Sequence, residues 1–155
     1  MKNEISRLIK SGGILFDVDG NTTDEIYQNV IDLIKLPESF DSKGIYNALC
    51  AREKIMSTAV GNGIAIPHSR TPIIKNPDEQ RIYIAYLKNP IDMKAPDEIK
   101  VHTLFFVLTQ NTQDHRNVLS ALATVFRDVS FRKLLEAKTN EEEILNAIQQ
   151  IELSD

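Results

Sequence analysis

Residues 100–109 read KVHTLFFVLT, and positions 104–108 within them form an uninterrupted apolar run. A strand with one face in water alternates apolar and polar side chains, whereas this run is apolar at consecutive positions and needs cover on both faces. The segment is therefore expected to lie inside a sheet that carries helices on each side.

Working outward, residues 81–87 (RIYIAYL) read as a second strand in or near the sheet interior. Residues 13–18 (GILFDV), bounded by Ser11-Gly12 and Asp19-Gly20-Asn21, read as a strand between turns. After that strand, Thr22 and Glu25 match a capping box, and Ile26, Val30, Leu33 and Ile34 follow at helical spacing until Leu36-Pro37 stops the helix. A second helix after Asp41-Ser42 is expected to turn Ile45, Leu49 and Ile55 inward, with Gly44 weakening its first turn and Ser57-Thr58 ending it. Residues 60–68 (VGNGIAIPH) then form a turn with two glycines and a very short apolar strand that Pro67 terminates.

On the C-terminal side three helical patterns follow: 113–126 with Val118, Leu119, Leu122 and Phe126; 130–137 with Leu134 and Leu135; and 141–151 with Ile144, Ile148 and Ile151. The last is expected to open with a capping box from Thr139 to Glu142. The expected order is thus strand, two helices, three strands, three helices. That order makes an α/β fold, a three-layer α/β/α sandwich around a central mixed sheet. Residues 71–80, with Pro72 and Pro77, read as a surface loop, so 1–155 is expected to be a single domain.

Composition narrows the function classes. Hydrophobic residues at 42% and charged residues at 26% make an ordinary globular mixture in 155 residues. A net charge of -4, from 18 basic and 22 acidic residues, lacks the positive excess that nucleic-acid binding requires, so no nucleic-acid partner is expected. No apolar run approaches the roughly 20 residues of a membrane helix, and residues 1–10 do not resemble a signal peptide. The single cysteine, Cys50, cannot form an internal bridge; at an expected buried helical position beside Leu49 it reads as an inert core thiol, and a cytoplasmic location is expected.

Three histidines remain to be weighed. His68 follows a proline at a strand end, behind the Gly61-Asn62-Gly63 turn, whose glycines allow close backbone approach and can leave amides facing a ligand. A neutral imidazole there is a nucleophile toward phosphorus, with Arg52 and Arg70 close in sequence; the competing reading is a strand-ending turn with a partly exposed histidine. His115 stands in what should be the first turn of a helix, where it either donates to a bound anion or is an ordinary polar first-turn residue. His102 lies in the apolar strand and reads as structural or edge-facing. No H-x-x-x-H or H-E-x-x-H pair exists, so the spacing supports no metal site, and no nucleotide-binding loop or hydrolase elbow is present. No cofactor is expected.

Residues 52–68 (REKIMSTAVGNGIAIPH) combine acidic Glu53, the Ser57-Thr58 pair, the Gly61-x-Gly63 turn and Ala65-Ile66-Pro67-His68. In this combination the segment resembles the active-site signature of the type-2 EIIA domains of the bacterial phosphoenolpyruvate-dependent phosphotransferase system. That class covers mannitol and fructose EIIA domains and the nitrogen-regulatory EIIA proteins. The order of elements is also that family's order. The resemblance implies that His68 is phosphorylated on Nε2 by HPr or an HPr-like carrier, with Arg52 holding the phosphoryl group and His115 as the second active-site histidine. It implies supporting roles for Gly61, Asn62, Gly63 and Ser69. Ser69 departs from the family pattern, which has Gly or Ala after the histidine, and its hydroxyl is expected either to donate to the phosphoryl group or to restrict partner docking.

With no EIIB or EIIC segment in the 155 residues, the resemblance points first to a nitrogen-regulatory phosphocarrier that acts on regulatory target proteins. The alternatives are an EIIA of fructose- or mannitol-type uptake that passes phosphate to a separate EIIB cysteine, and a non-catalytic regulatory binding module.

Overall fold

The computed structural model describes residues 4–154; residues 1–3 and 155, at the ends of the expected 1–155 unit, lie outside the described residues. The chain runs α1 (Glu4–Gly12), β1 (Gly13–Val18), α2 (Thr23–Leu33), α3 (Ser42–Ile55), β2 (Ala59–Gly61), β3 (Ile64–Ala65), a 3-10 turn (Pro77–Glu79), β4 (Arg81–Ile91), β5 (Val101–Leu108), α4 (Thr112–Val125), α5 (Val129–Glu136) and α6 (Glu141–Ser154). The sheet order is β1-β4-β5-β3-β2. β1 pairs parallel with β4, β4 antiparallel with β5, β5 parallel with β3, and β3 antiparallel with β2, so the sheet is mixed.

The two-sided burial read from residues 104–108 is what the structure contains. Leu104, Phe106 and Leu108 join one apolar cluster with Ile26, Tyr27 and Val30 of α2 and Ile45 and Leu49 of α3. Phe105 and Val107 join the other, with Ile5 and Leu8 of α1 and residues of α4, α5 and α6. Alternate residues of β5 thus serve alternate helical layers, as a period of two demands. At about 2 kcal/mol per fully buried large apolar side chain, these five residues contribute on the order of 10 kcal/mol, comparable with the whole net stability of a domain.

Several expectations are corrected. α1 is an additional helix before the first strand; it buries Ile5, Leu8 and Ile9 against the sheet. β2 is an additional strand, paired with β3 across the Asn62 turn. Leu33 and Ile55 are 56% and 63% exposed rather than inward, because each sits at its helix's last turn, beyond the sheet's cover. Tyr27 and Ile31 fill α2's inner face instead.

Caps account for the helix starts. The Oγ1 of Thr22 accepts from the Glu25 amide, and the Glu25 carboxylate reaches back to the Asn21 amide. Asp41 caps α3 through the Gly44 amide, and a side chain at 44 would collide with that carboxylate, which explains a glycine in a first turn. α6 is capped by Asn140, whose side chain accepts from the Glu143 amide, and not by Thr139. The Thr139 hydroxyl is already committed to the Leu134 carbonyl.

Candidate active site

The sheet topology brings the site together. β3 and β5 run parallel, and the pairing continues past the two-residue β3: the Val107 amide donates to the Pro67 carbonyl at 3.0 Å. The C-terminal ends of both strands therefore emerge side by side, one leading to His68 and the other through Thr109 to α4 and His115. Such an edge, at the carboxyl ends of neighbouring parallel strands, is where α/β proteins place ligands. The ring centroids of His68 and His115 lie 5.0 Å apart, with planes inclined at 54°.

His68 is half-buried, and its Nδ1 lies 2.7 Å from the Ile66 carbonyl. A carbonyl only accepts, so Nδ1 carries the proton and Nε2 keeps its lone pair. Burial lowers the pKa of His68, and the nearby Arg52 charge lowers it further, against the raising influence of the Ile66 carbonyl and the Glu53 charge. Burial, then the charges of His68 and Arg52, push His115 down to about 4. Both rings are neutral at neutral pH.

The Ile66 carbonyl is itself fixed by a hydrogen-bonded chain. The Ile66 amide donates to the Thr58 carbonyl at 3.0 Å. Thr58 donates its amide and its hydroxyl to the two oxygens of Glu53, at 2.7 and 2.6 Å, and the fully buried Tyr27 hydroxyl adds a third bond at 2.6 Å. Burial, followed by the Glu53 charge, raises Tyr27 well above the ordinary tyrosine value, so it remains a donor. The acidic residue noted in the sequence thus braces the backbone under His68, at the end of a helix whose preceding residue is Arg52. Arg52 uses Nη1 to close the end of α3 on the Met56 carbonyl at 2.5 Å, and a guanidinium has further N–H donors for an anion.

The remaining residues read from sequence divide differently than expected. The Asn62 amide donates to Asp97 at 2.7 Å, and the Gly63 carbonyl accepts from the His102 and Thr103 amides, so the turn is tied to the loop between β4 and β5 and to β5 itself. Asn62 and Gly63 are thus fastened to the structure on the far side of the turn, and the Asn62 amide is occupied by Asp97. At Gly63, φ is +80° and an added Cβ would run into the His102 ring, which accounts for glycine there. Ser69 is 3% exposed and donates its hydroxyl to the Thr71 carbonyl. That proton is spent on a local turn rather than on the surface before His68.

His115 is the fourth residue of α4; its amide donates to the Asn111 carbonyl, and the Asn111 side chain caps the Asp114 amide. Sequence reading missed the clamp behind it. The Gln80 side chain, 2% exposed, accepts from the Gln110 amide at 2.8 Å and donates to Asp114 at 3.3 Å. A polar residue at the very start of an apolar strand was the available signal. Arg70, near His68 in sequence, is exposed. A cleft of about 670 Å³ lies on the other side of Glu53, lined by Cys50, Lys54, Ser57 and Met93, and neither histidine borders it. Burial raises the pKa of the Cys50 thiol, which fits an inert core thiol. No described helix is long and apolar enough to cross a membrane.

The geometry supplies an unprotonated ring nitrogen, a second ring beside it and a guanidinium, an arrangement that can accept an electrophile and stabilise the anion it carries. Residues 7–151 match the family described as phosphoenolpyruvate-dependent sugar phosphotransferase system, EIIA 2, and the chain belongs to that family. It is similar to a nitrogen regulatory protein of Pseudomonas aeruginosa, at 29% identity over 96% of each chain. A fructose-specific EIIABC component of Bacillus subtilis is 25% identical over 95% of this chain and 23% of its own length. The crystal structure of nitrogen regulatory protein IIA-Ntr from Neisseria meningitidis superposes with a TM-score of 0.75 at 28% identity, covering 87% of this chain and 92% of that one.

Proposed function

We propose that the chain is a phosphocarrier that accepts a phosphoryl group on Nε2 of His68 from the histidine of an HPr-like protein. The observation that carries this reading is the Nδ1 proton of His68 bonded to the Ile66 carbonyl, which leaves Nε2 as the only basic nitrogen of that ring. As the Nε2 lone pair forms the new bond to phosphorus, the bond to the donor nitrogen breaks and its electron pair returns to the donor ring. Positive charge developing on the His68 ring is stabilised at Nδ1–H by the Ile66 carbonyl and by the Glu53 charge behind it. The dianionic group is met by Arg52 and His115. Positioning and charge stabilisation are what phosphoryl transfer chiefly asks of a protein. Ile55 and Met56, three and four residues beyond Arg52, are exposed apolar side chains suited to contact a protein donor.

Incubation with enzyme I, the carrier and phosphoenolpyruvate should add one acid-labile phosphoryl mass that is absent in His68→Ala. An unchanged mass beside a control EIIA that is phosphorylated would overturn the reading.

The nitrogen-regulatory role is favoured over sugar uptake by the similarity to a nitrogen regulatory protein along 96% of both chains. The fructose-specific relative supports the alternative. Label passing from His68 to a sugar-specific EIIB cysteine would establish uptake, whereas label retained in its presence supports the regulatory role.

A further inference from the structure

The two rings are held by partners of opposite kind. His68 Nδ1 meets a carbonyl, which only accepts, whereas His115 Nδ1 lies 2.8 Å from the Thr109 hydroxyl, which both donates and accepts. Thr109 is 2% exposed, and among the described residues its Oγ1 is bonded to His115 Nδ1 alone. If that nitrogen carried the ring proton, the hydroxyl proton would be buried without an acceptor, the costly arrangement for a polar group. The economical assignment turns the hydroxyl proton toward Nδ1.

Resting on the phosphocarrier reading, we propose that Thr109 is a positioning residue: its hydroxyl donates to Nδ1 of His115 and keeps that ring's proton on Nε2, as a hydrogen-bond donor to the group carried by His68. The two rings then hold opposite tautomers. In His68 the proton is on Nδ1 and the lone pair on Nε2; in His115 these are exchanged. One ring is set to attack and the other to donate, and the difference comes from one carbonyl and one hydroxyl. Because burial and the neighbouring charges keep His115 neutral, it has a single ring proton, and where that proton sits matters.

The test pairs nitrogen-15 NMR of the imidazoles in the free protein with phosphoryl transfer kinetics from the HPr-like carrier. The wild-type His115 should be protonated on Nε2 only. Thr109→Val, which keeps the branched shape without the hydroxyl, should shift the His115 ring-nitrogen signals away from the single-tautomer pattern and slow transfer about tenfold as the ring loses its orientation. Thr109→Ser should restore both. A wild-type His115 protonated on Nδ1, an unchanged nitrogen spectrum in Thr109→Val, or a wild-type transfer rate in that variant would each overturn the proposal while the phosphocarrier reading stands. No transfer to the wild-type chain would overturn that reading, and the proposal with it.

Discussion

His68 and His102 sit at opposite ends of the same pairing between β3 and β5. One follows the end of β3; the other lies beside the turn that leads into it. Both are half-buried, and burial lowers the pKa of both. Their surroundings differ. His102 bonds the neighbouring Thr103 hydroxyl through Nδ1 at 2.7 Å, packs its ring on Gly63, and feels Glu136 and Lys138, whose charges act in opposite directions. His68 has a cation at Arg52, a second imidazole at 5.0 Å and a carbonyl that fixes its tautomer. Burial makes an imidazole neutral, but only the company of its free nitrogen makes it a candidate site.

The sharpest way to break this contrast is to exchange the losses. His68→Ala should abolish phosphoryl incorporation, read by mass, while His102→Ala should leave the transfer rate within about twofold and cost about 1 kcal/mol of stability, a typical value for a point substitution. His115→Ala comes next: transfer about 100-fold slower with the circular dichroism spectrum unchanged, the scale set by removing one donor from a developing anion.

Gly63→Ala should destabilise by about 2 kcal/mol in urea unfolding, through a positive φ and a collision with the His102 ring. Adding His102→Ala should recover part of that loss, and strict additivity would show that the two do not touch.

The last effect is on pH. His115 falls from the ordinary 6.5 to about 4 on folding, so between those values the unfolded chain binds a proton that the native chain does not. Stability should be full above about pH 6.5 and decline toward pH 4, less steeply in His115→Ala, as measured by urea midpoints at pH 7 and pH 5.

What the sequence made legible follows from how strongly each residue is constrained. Consecutive apolar residues at 104–108 have one physical solution, and they specified a sheet covered on both faces. Gly13–Val18 lies between turn residues on each side and was bounded correctly. α1 shows the opposite case: Ile5, Leu8 and Ile9 have helical spacing, but three apolar residues in a nine-residue helix make too short a pattern without knowledge of the sheet they meet. Leu33 and Ile55 fitted their stripes and failed because periodicity does not say where a neighbouring layer ends.

Within the site, His68, His115 and Arg52 were named from local motif and are brought together by the fold. Thr109 and the Ile66 carbonyl were invisible, because their meaning lies in a partner 6 and 2 residues away whose orientation only tertiary structure fixes, and Gln80 offered only its polarity before an apolar strand, with its partner 30 residues on. For Ser69 the sequence left two directions open to the hydroxyl beside the ring, and it did not indicate the Thr71 carbonyl, which takes it.

The brace beneath His68 also has an optical use. The chain contains no tryptophan and four tyrosines, so its near-ultraviolet spectrum belongs to the phenols. One of them, Tyr27, is fully buried and bonded to the Glu53 carboxylate, from which Thr58 and Ile66 lead to the His68 ring. A change of charge on that ring has a hydrogen-bonded path to a chromophore the protein already owns, and difference absorbance should report it without a label.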